Sequence, residues 1–512
     1  MSLSELYQQA RADTPDKTAL TFRDASLSFR ELSDAVDRSA RRLRHLGIGH
    51  GDRVAIFMRN RSEFIELYLA CFCIGAIAVP LNHRFQADEV AFACNHCTAA
   101  LLITDGPLYP RIQDVQTEIP TLKAIYLYGD VPPEVTDSRW DAVDTADAAE
   151  WPTIADDDPA MILYTSGSTG KPKGVVHTHG SILDTTKGRA ATQQLSADDI
   201  SLAATAICHG GGSIGVTFPT LYAGGSVVIL EESEPGLFLE ALAKHRPTRT
   251  LLLPAQLLDA VESPEASDVD FSSLREVQCG GDQISPDLYT HFSEVERLEL
   301  NQAYGMTECE GCSMNPPFGL IKRGSIGLPR EGVEFRVVRG GKDLPDGEVG
   351  EFLVRSRSVM AGYWNDPENT AAVMVDGWLH TGDLGSRDEE GYLHFAGRIK
   401  EVIIKGGSNI APGEVEDVLN AHPDVELSGV VGSPDERLGS LVHAFVQLRP
   451  GLDAPPSEQD LIAFAYDRLA AYKVPDRWTF VADLPKNNVG KIDRKSLHAR
   501  AAELDAEDPN HS

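Results

Sequence analysis

The sequence predicts an α/β protein: a large N-terminal domain of parallel-type sheets covered by helices, a small β subdomain attached to it, and a small C-terminal α+β domain. Three observations lead there. A chain of 512 residues, 42% of them hydrophobic, is longer than one core usually organises. Short apolar runs that read as buried strands alternate with helical periodicity through the first half of the chain. Around Gly340 to Gly362 the texture changes to short alternating strands separated by Gly-Gly and Pro-Asp-Gly turns, and a separate mixture of helices and strands follows. The expected division is 1–397 and 398–512.

In chain order, Leu3 to about Arg44 reads as a helix, a hairpin-like TALTFRDASLSF, and a helix with Leu32, Ala35, Ala40 and Leu43 on its apolar stripe. VAIFM at 54–58 and AIAVPL at 76–81 flank a helix over Phe64 to Ile74. Glu66 and Pro80 suit a buried helix and strand better than a membrane span. The β-α-β spacing recurs at ALLIT, AIYLYG and AMILYT, which predicts a parallel sheet. Between Gly129 and Pro159 the residues are mostly acid, alanine and proline, and the expectation is an exposed connecting segment. SLAATAIC and GGSVVILEE read as strands around a helix, TLLLPAQLLDAV as strand then helix, and VEFRVV and GEFLVR as the β subdomain. GYLHFAGRIKEVIIKGG crosses the boundary near Arg398. Beyond it EVEDVLNAH and SEQDLIAFAYDRL read as helices and GVVGS and VHAFVQLR as strands, with Glu503 to Ser512 an acidic, fraying end.

A net charge of -31 argues against nucleic acid or an anionic membrane as partner, since both are bound by basic surfaces. No basic start followed by an apolar run opens the sequence, so the chain reads as cytoplasmic. Eight cysteines give no disulfide framework. Cys94 with Cys97, around His96, and Cys309 with Cys312 have zinc-ligand spacing, but the first pair ends the amphipathic run ADEVAFACNHC and lacks the flanking knuckle residues. Packed or surface thiols are the preferred reading.

The most informative stretch is YTSGSTGKPKGVVHTH, Tyr164 to His179. Glycines let backbone N–H groups approach an anion, Ser166, Ser168 and Thr169 add hydroxyl donors, and Lys171 and Lys173 supply charge. Together they describe a polyphosphate cradle. It is not a Walker loop, because Pro172 follows Gly170-Lys171 and Thr165 stands where the first glycine belongs. The stretch closely resembles the phosphate loop of the adenylate-forming superfamily, which includes acyl-CoA synthetases, luciferase and peptide-synthetase adenylation domains. At least six motifs follow that family's order across nearly the whole chain.

The resemblance implies roles residue by residue. ATP and AMP would be held by Thr165, Ser166, Gly167, Ser168, Thr169, Gly170, Lys171, Lys173, Gly280, Gly281, Gln302, Tyr304, Gly305 and Thr307. In AYGMTE, read as a glycine-marked turn, Thr307 would contact the α-phosphate and Glu308 would hold Mg²⁺. In GWLHTGD, Asp383 sits behind a buried-looking tryptophan and a turn. It would take the ribose hydroxyls with Arg398, as acidic residues do in dinucleotide sites. Lys491 of PKNNVGKIDR would be the adenylation lysine, stabilising charge as a carboxylate meets the α-phosphate. Asn487, Asn488 and Val489 depart there from the commoner threonine and small polar residues.

Lys400 matches a hinge position that would make the C-terminal domain a mobile lid. Lys405, Gly406, Gly407 and Asn409 match a loop that lines a pantetheine tunnel, and Lys473 would meet coenzyme A phosphates. ICHGGGSIG satisfies three unrelated patterns at once, which cannot all hold. The resemblance instead makes His209 a gate beside the reacting carboxylate, with Gly210, Gly211, Gly212 and Ala303 lining a roomy acyl pocket. Gly210 stands where peptide-synthetase domains carry an aspartate for the amino group, which disfavours an amino-acid substrate. Gly305 stands where acetate-specific relatives carry tryptophan.

The implied function is an ATP-dependent carboxylic acid:coenzyme A ligase that forms acyl-CoA, AMP and pyrophosphate through an acyl-adenylate. Its cofactors would be ATP, Mg²⁺ and coenzyme A, its partner an aromatic or medium-chain acid, and a homodimer is compatible with it. Two alternatives are a freestanding enzyme loading a carrier protein and a silent relative kept for interaction. Intact Lys491, Glu308 and Asp383 argue against the second.

Overall fold

A computed structural model describes residues 3, 6–129, 135, 138–145, 151–165, 172–280, 284, 286–295, 298–316, 321–405, 408–435, 437–452, 454–487 and 491–507. Four sheets organise them. In the seven-stranded sheet Pro159–Thr165, Ile77–Pro80, Arg53–Phe57, Leu101–Asp105 and Ala124–Tyr128 run parallel, as the apolar runs predict. Lys173–Thr178 adds to its edge antiparallel. The nine-stranded sheet has a parallel interior from Leu300–Met306 across Glu276–Gly280, Arg249–Leu252, Ile200–Ala203 and Ser226–Ile229 to Thr18–Phe22. Antiparallel strands finish both of its edges.

The helix Ser62–Ile74 joins these two sheets. Every residue from Phe64 to Ile74 is buried, so its sequence is apolar on all sides and not amphipathic. Tyr68 meets Phe218 edge to face at 5.7 Å and donates its hydroxyl to the Ile207 carbonyl at 3.0 Å. Glu66, the one charge in the run, is bonded by Ser39 and by the Tyr128 hydroxyl at 2.8 Å, and burial raises its pKa.

An antiparallel six-stranded sheet contains Glu334–Arg339, Gly350–Arg355, Trp378–Arg387 and Leu393–Arg398. The chain leaves it at Arg398, passes a 3₁₀ turn over Ile399–Glu401, and enters the last sheet at Ile403–Lys405. There the long strands Val425–Asp435 and Gly439–Leu448 carry the helices Pro412–Asn420 and Glu458–Tyr466 on a separate core of Val415, Leu419, Val430, Val442 and Leu461.

Several local expectations are corrected. The segment between Gly129 and Pro159 is not simply an exposed connector, because Trp140 is fully buried and donates its indole N–H to Ser39 at 3.2 Å. No turn precedes Asp383, which lies inside the ten-residue strand Trp378–Arg387. Trp378 is only partly buried, its ring covered by Arg355 at 4.5 Å and Arg336 at 5.3 Å. AYGM continues the strand Leu300–Met306, leaving only Thr307 and Glu308 in the turn. Glu503 to Glu507 belong to the helix Arg494–Glu507. All eight cysteines are buried free thiols. No helix among the described residues is long and apolar enough to cross a membrane.

Candidate active site

Thr165 and Lys173 face each other in register at the open end of the hairpin formed by Pro159–Thr165 and Lys173–Thr178. Ser166, Gly167, Ser168, Thr169, Gly170 and Lys171, which connect them, lie outside the described residues, as do Gly281, Gly406 and Gly407. The next strand outward, Gly362–Tyr363, pairs with Lys173–Thr178. It brings the Tyr363 ring under the Lys173 ammonium, 4.7 Å from its centroid, and the Tyr363 hydroxyl donates to Glu308 Oε1 at 2.7 Å. Lys173, Tyr363 and Glu308 thus link the hairpin mouth to the turn after Leu300–Met306. Tyr363 carried no sequence signal, since it meets Glu308 only through sheet pairing.

The turn itself is fixed from below. His177 donates from Nε2 to the Thr307 carbonyl at 2.7 Å, and burial lowers the pKa of that imidazole. Leu300–Met306 pairs with Glu276–Gly280, placing Ala303 beside Gly280 and Gln302 beside Cys279. The Gln302 side chain accepts from the Tyr289 hydroxyl at 3.0 Å. Gly305 is demanded by a close approach, because a Cβ there would stand 2.5 Å from the Gly311 backbone nitrogen.

Tyr304 donates to Asp383 Oδ2 at 2.7 Å, and Arg398, paired with Asp383 across the strands, places its Nε 3.3 Å from Oδ1. Burial raises the Asp383 pKa, while the Arg398 charge and the Tyr304 hydrogen bond oppose the rise. Asp383 is therefore a fixed acceptor, backed by a cation that is itself exposed.

His209 immediately precedes the short helix Gly210–Gly212. The Asn82 amide donates to its Nε2 at 3.3 Å, which leaves the proton on Nδ1. Its pKa is held down to about 4, by burial first and then by His83, Arg84 and Lys491. The imidazole is neutral at pH 7. The three glycines that follow are not equally roomy, which corrects the simple expectation. Only Gly211 faces open space; a Cβ at Gly212 would meet the Ala206 carbonyl at 2.5 Å, and one at Gly210 would meet Glu310 Oε1 at 2.0 Å.

Lys491 arrives from the C-terminal sheet's side of the molecule. Its backbone N–H donates to Asn487 Oδ1 at 3.1 Å and its carbonyl accepts from the Asn487 N–H at 2.7 Å. Its charge reaches both His209 and Glu310. Lys400 stands exposed in the turn between the two sheets. Asn409 lies on Ser408–Ile410, paired with Ile404. Lys405 is bound to Asp476 at 2.5 Å and Lys473 to Glu414, so both are already in ion pairs. Lys473 lines a cleft of about 1070 Å³ between the six-stranded sheet and the C-terminal domain, with Arg336, Arg339 and Trp378 on its far wall.

The Glu308 carboxylate and Thr307 hydroxyl, oxygen donors beside a cationic hairpin, suit a hard divalent cation such as Mg²⁺ bridging phosphates. Asp383 suits a vicinal diol. Arg189 and Glu310, which sequence motifs did not single out, stand behind and beside the glycines after His209.

Residues 7–364 match the family model described as AMP-binding enzyme, and residues 414–491 match the one described as AMP-binding enzyme C-terminal domain. A feruloyl-CoA synthase of Amycolatopsis sp is 34% identical over 490 residues, 95% of this chain and 96% of that one. An indoleacetate–CoA ligase of Aromatoleum aromaticum is 34% identical over 516 residues, 98% of each. Among solved structures, that of the anthranilate CoA ligase AuaEII in complex with anthranoyl-AMP superposes with a TM-score of 0.90 at 28% identity, covering 99% of this chain and 98% of that one.

Proposed function

The chain belongs to the AMP-binding enzyme family, and from that premise we propose that it is an ATP-dependent carboxylic acid:coenzyme A ligase acting on an aromatic acid. The observation that carries the reading is the convergence on one strand, Leu300–Met306, and its turn: Glu308 and Thr307 beside the hairpin, Tyr304 on Asp383, and Lys491 within electrostatic reach of the pocket next to it. The aromatic class is supported by relatives named for feruloyl, indoleacetate and anthranilate substrates.

In the first half-reaction a carboxylate oxygen attacks the α-phosphorus of ATP, the bond to the bridging oxygen breaks, and pyrophosphate leaves with that electron pair. Asp383 and Arg398 fix the ribose, Thr307 donates to the α-phosphate, and the Lys491 ammonium offsets the charge concentrated in the transition state. Mg²⁺, when held by Glu308, supplies charge neutralisation of the phosphates. His209, neutral at pH 7, borders the reacting carboxylate without drawing a proton from it. In the second half-reaction the coenzyme A thiolate attacks the acyl carbon and AMP leaves. The two domains, 1–397 and 398–512, would pivot at Lys400, in the exposed turn that alone connects the two neighbouring sheets along the chain, so that Lys491 withdraws between steps.

Exchange of labelled pyrophosphate into ATP, driven by benzoate, cinnamate and indoleacetate derivatives, tests the reading. Acid-dependent exchange followed by coenzyme A-dependent AMP release is expected. No exchange with any acid refutes it.

A further inference from the structure

The wall of the acyl pocket contains a carboxylate that the motifs do not account for. Glu310, on the strand Cys309–Met314, projects into the volume that a side chain at Gly210 would fill: an ideal Cβ on Gly210 would lie 2.0 Å from Glu310 Oε1, 2.4 Å from Cδ and 2.7 Å from Cγ. Glu310 therefore occupies, from another element of the chain, the space of the side chain that the glycine lacks. Its own side chain stays partly accessible although the strand around it is buried, which is the signature of a group lining a cavity.

Among the described residues this carboxylate has no hydrogen bond and no ion pair. Arg189, a buried cation whose charge reaches Glu310, is bonded elsewhere: Nε donates to the Gly215 carbonyl at 2.8 Å and Nη2 to Gln278 Oε1 at 2.9 Å. A half-buried carboxylate without a protein partner is open to a ligand, and a group that donates to it gains a charge-assisted hydrogen bond on binding.

We propose that Glu310 is the specificity-determining residue of the acyl pocket and that it selects acids whose ring carries an N–H or O–H donor. The inference rests on the ligase reading above and names the substrate class of the same site. It also reverses the sequence argument from Gly210: the missing carboxylate at that position is present in space, contributed by another strand. Glu310 accepts the donor's hydrogen bond while the substrate carboxylate faces His209 and Lys491. The preference is thus for an acid whose ring carries a second polar group able to donate to Glu310.

The test compares aminobenzoates and hydroxybenzoates with methylbenzoates of the same substitution, isosteres that lack the donor, in pyrophosphate exchange by wild-type, Glu310→Gln and Glu310→Leu proteins. Wild type is expected to favour one donor-bearing isomer over its methyl isostere by at least about tenfold in kcat/KM, the effect of one charge-assisted hydrogen bond. Glu310→Leu should favour the methyl acid, and the near-isosteric Glu310→Gln, which keeps the fold, should lose most of the discrimination. The amine and hydroxyl arms separate a preference for a cationic or amine donor from one for any donor. Calorimetric binding of aminobenzoyl- and methylbenzoyl-sulfamoyl adenosine reads the same preference without turnover. Discrimination unchanged in both variants, or wild type that treats isosteres alike, overturns the proposal. Absence of exchange with retained discrimination in binding overturns the ligase reading and leaves this one standing.

Discussion

Tyr304 and Asp383, 79 residues apart, are joined by a 2.7 Å hydrogen bond that ties the strand Leu300–Met306 of the nine-stranded sheet to the strand Trp378–Arg387 of the antiparallel one. The bond sets the direction in which the carboxylate presents its remaining lone pairs. Asp383→Ala removes the acceptor itself and is expected to raise the KM for ATP by about 10- to 100-fold, the worth of hydrogen bonds to a charged group. Tyr304→Phe, which only frees the carboxylate to turn, should raise it about fivefold with little change in kcat. Equal effects of the two variants in initial-rate assays at saturating acid would contradict the ribose assignment.

Lys491→Ala separates the two half-reactions. Acyl-adenylate formation should fall by at least about a thousandfold, as when a charge-stabilising group is removed from a transition state. Thioester formation from supplied acyl-adenylate should stay within about threefold of wild type. Single-turnover measurements of each step decide it, and equal losses would show that Lys491 acts on the fold or on both steps.

His179 titrates with the opposite consequence from an exposed histidine. It is buried beside Phe72, ring centroids 5.6 Å apart, with neither ring nitrogen bonded, and burial holds its pKa down to about 4. The unfolded chain protonates at about 6.5, so between those values the unfolded state binds more protons and stability falls as pH falls. The stabilisation is complete above pH 6.5 and is lost on the way down to about pH 4, at a cost of up to about 3 kcal/mol. His179→Leu should flatten the dependence of the denaturation midpoint on pH by close to one proton over that interval. An unchanged slope in urea titrations at a series of pH values would refute it.

Two glycines that look alike in sequence should behave differently. Gly305→Ala places a methyl 2.5 Å from the Gly311 backbone nitrogen, which cannot move without shifting the strand, and about 1–3 kcal/mol of destabilisation is expected. Gly211→Ala meets nothing within 4 Å and should leave the melting temperature nearly unchanged. Thermal denaturation of the two variants side by side is the check.

The architecture was legible wherever local pattern determines the element. The continuous apolar runs at 54–58 and 76–81 became buried parallel strands because both faces of that sheet are covered. The region from Gly129 to Pro159 misled because its composition is polar while its structure depends on one side chain: Trp140 packs under Tyr126 and reaches Ser39, a contact 101 residues away that no window records. The motif singles out Asp383, but the turn expected ahead of it is absent, since a Thr-Gly pair inside a strand reads like a turn until the partner strand is known. Glu310 was invisible for a related reason. Its meaning depends on an absence at Gly210, a hundred positions earlier, and only register between strand and helix end brings the two together.

The in-register pairing of Thr165 with Lys173 has a further consequence. Backbone hydrogen bonds of the sheet hold these two residues one strand spacing apart, so the width of the hairpin mouth is set before anything binds there. A change that slipped this register by one residue would turn Lys173 to the opposite face of the sheet and take its ammonium off the Tyr363 ring.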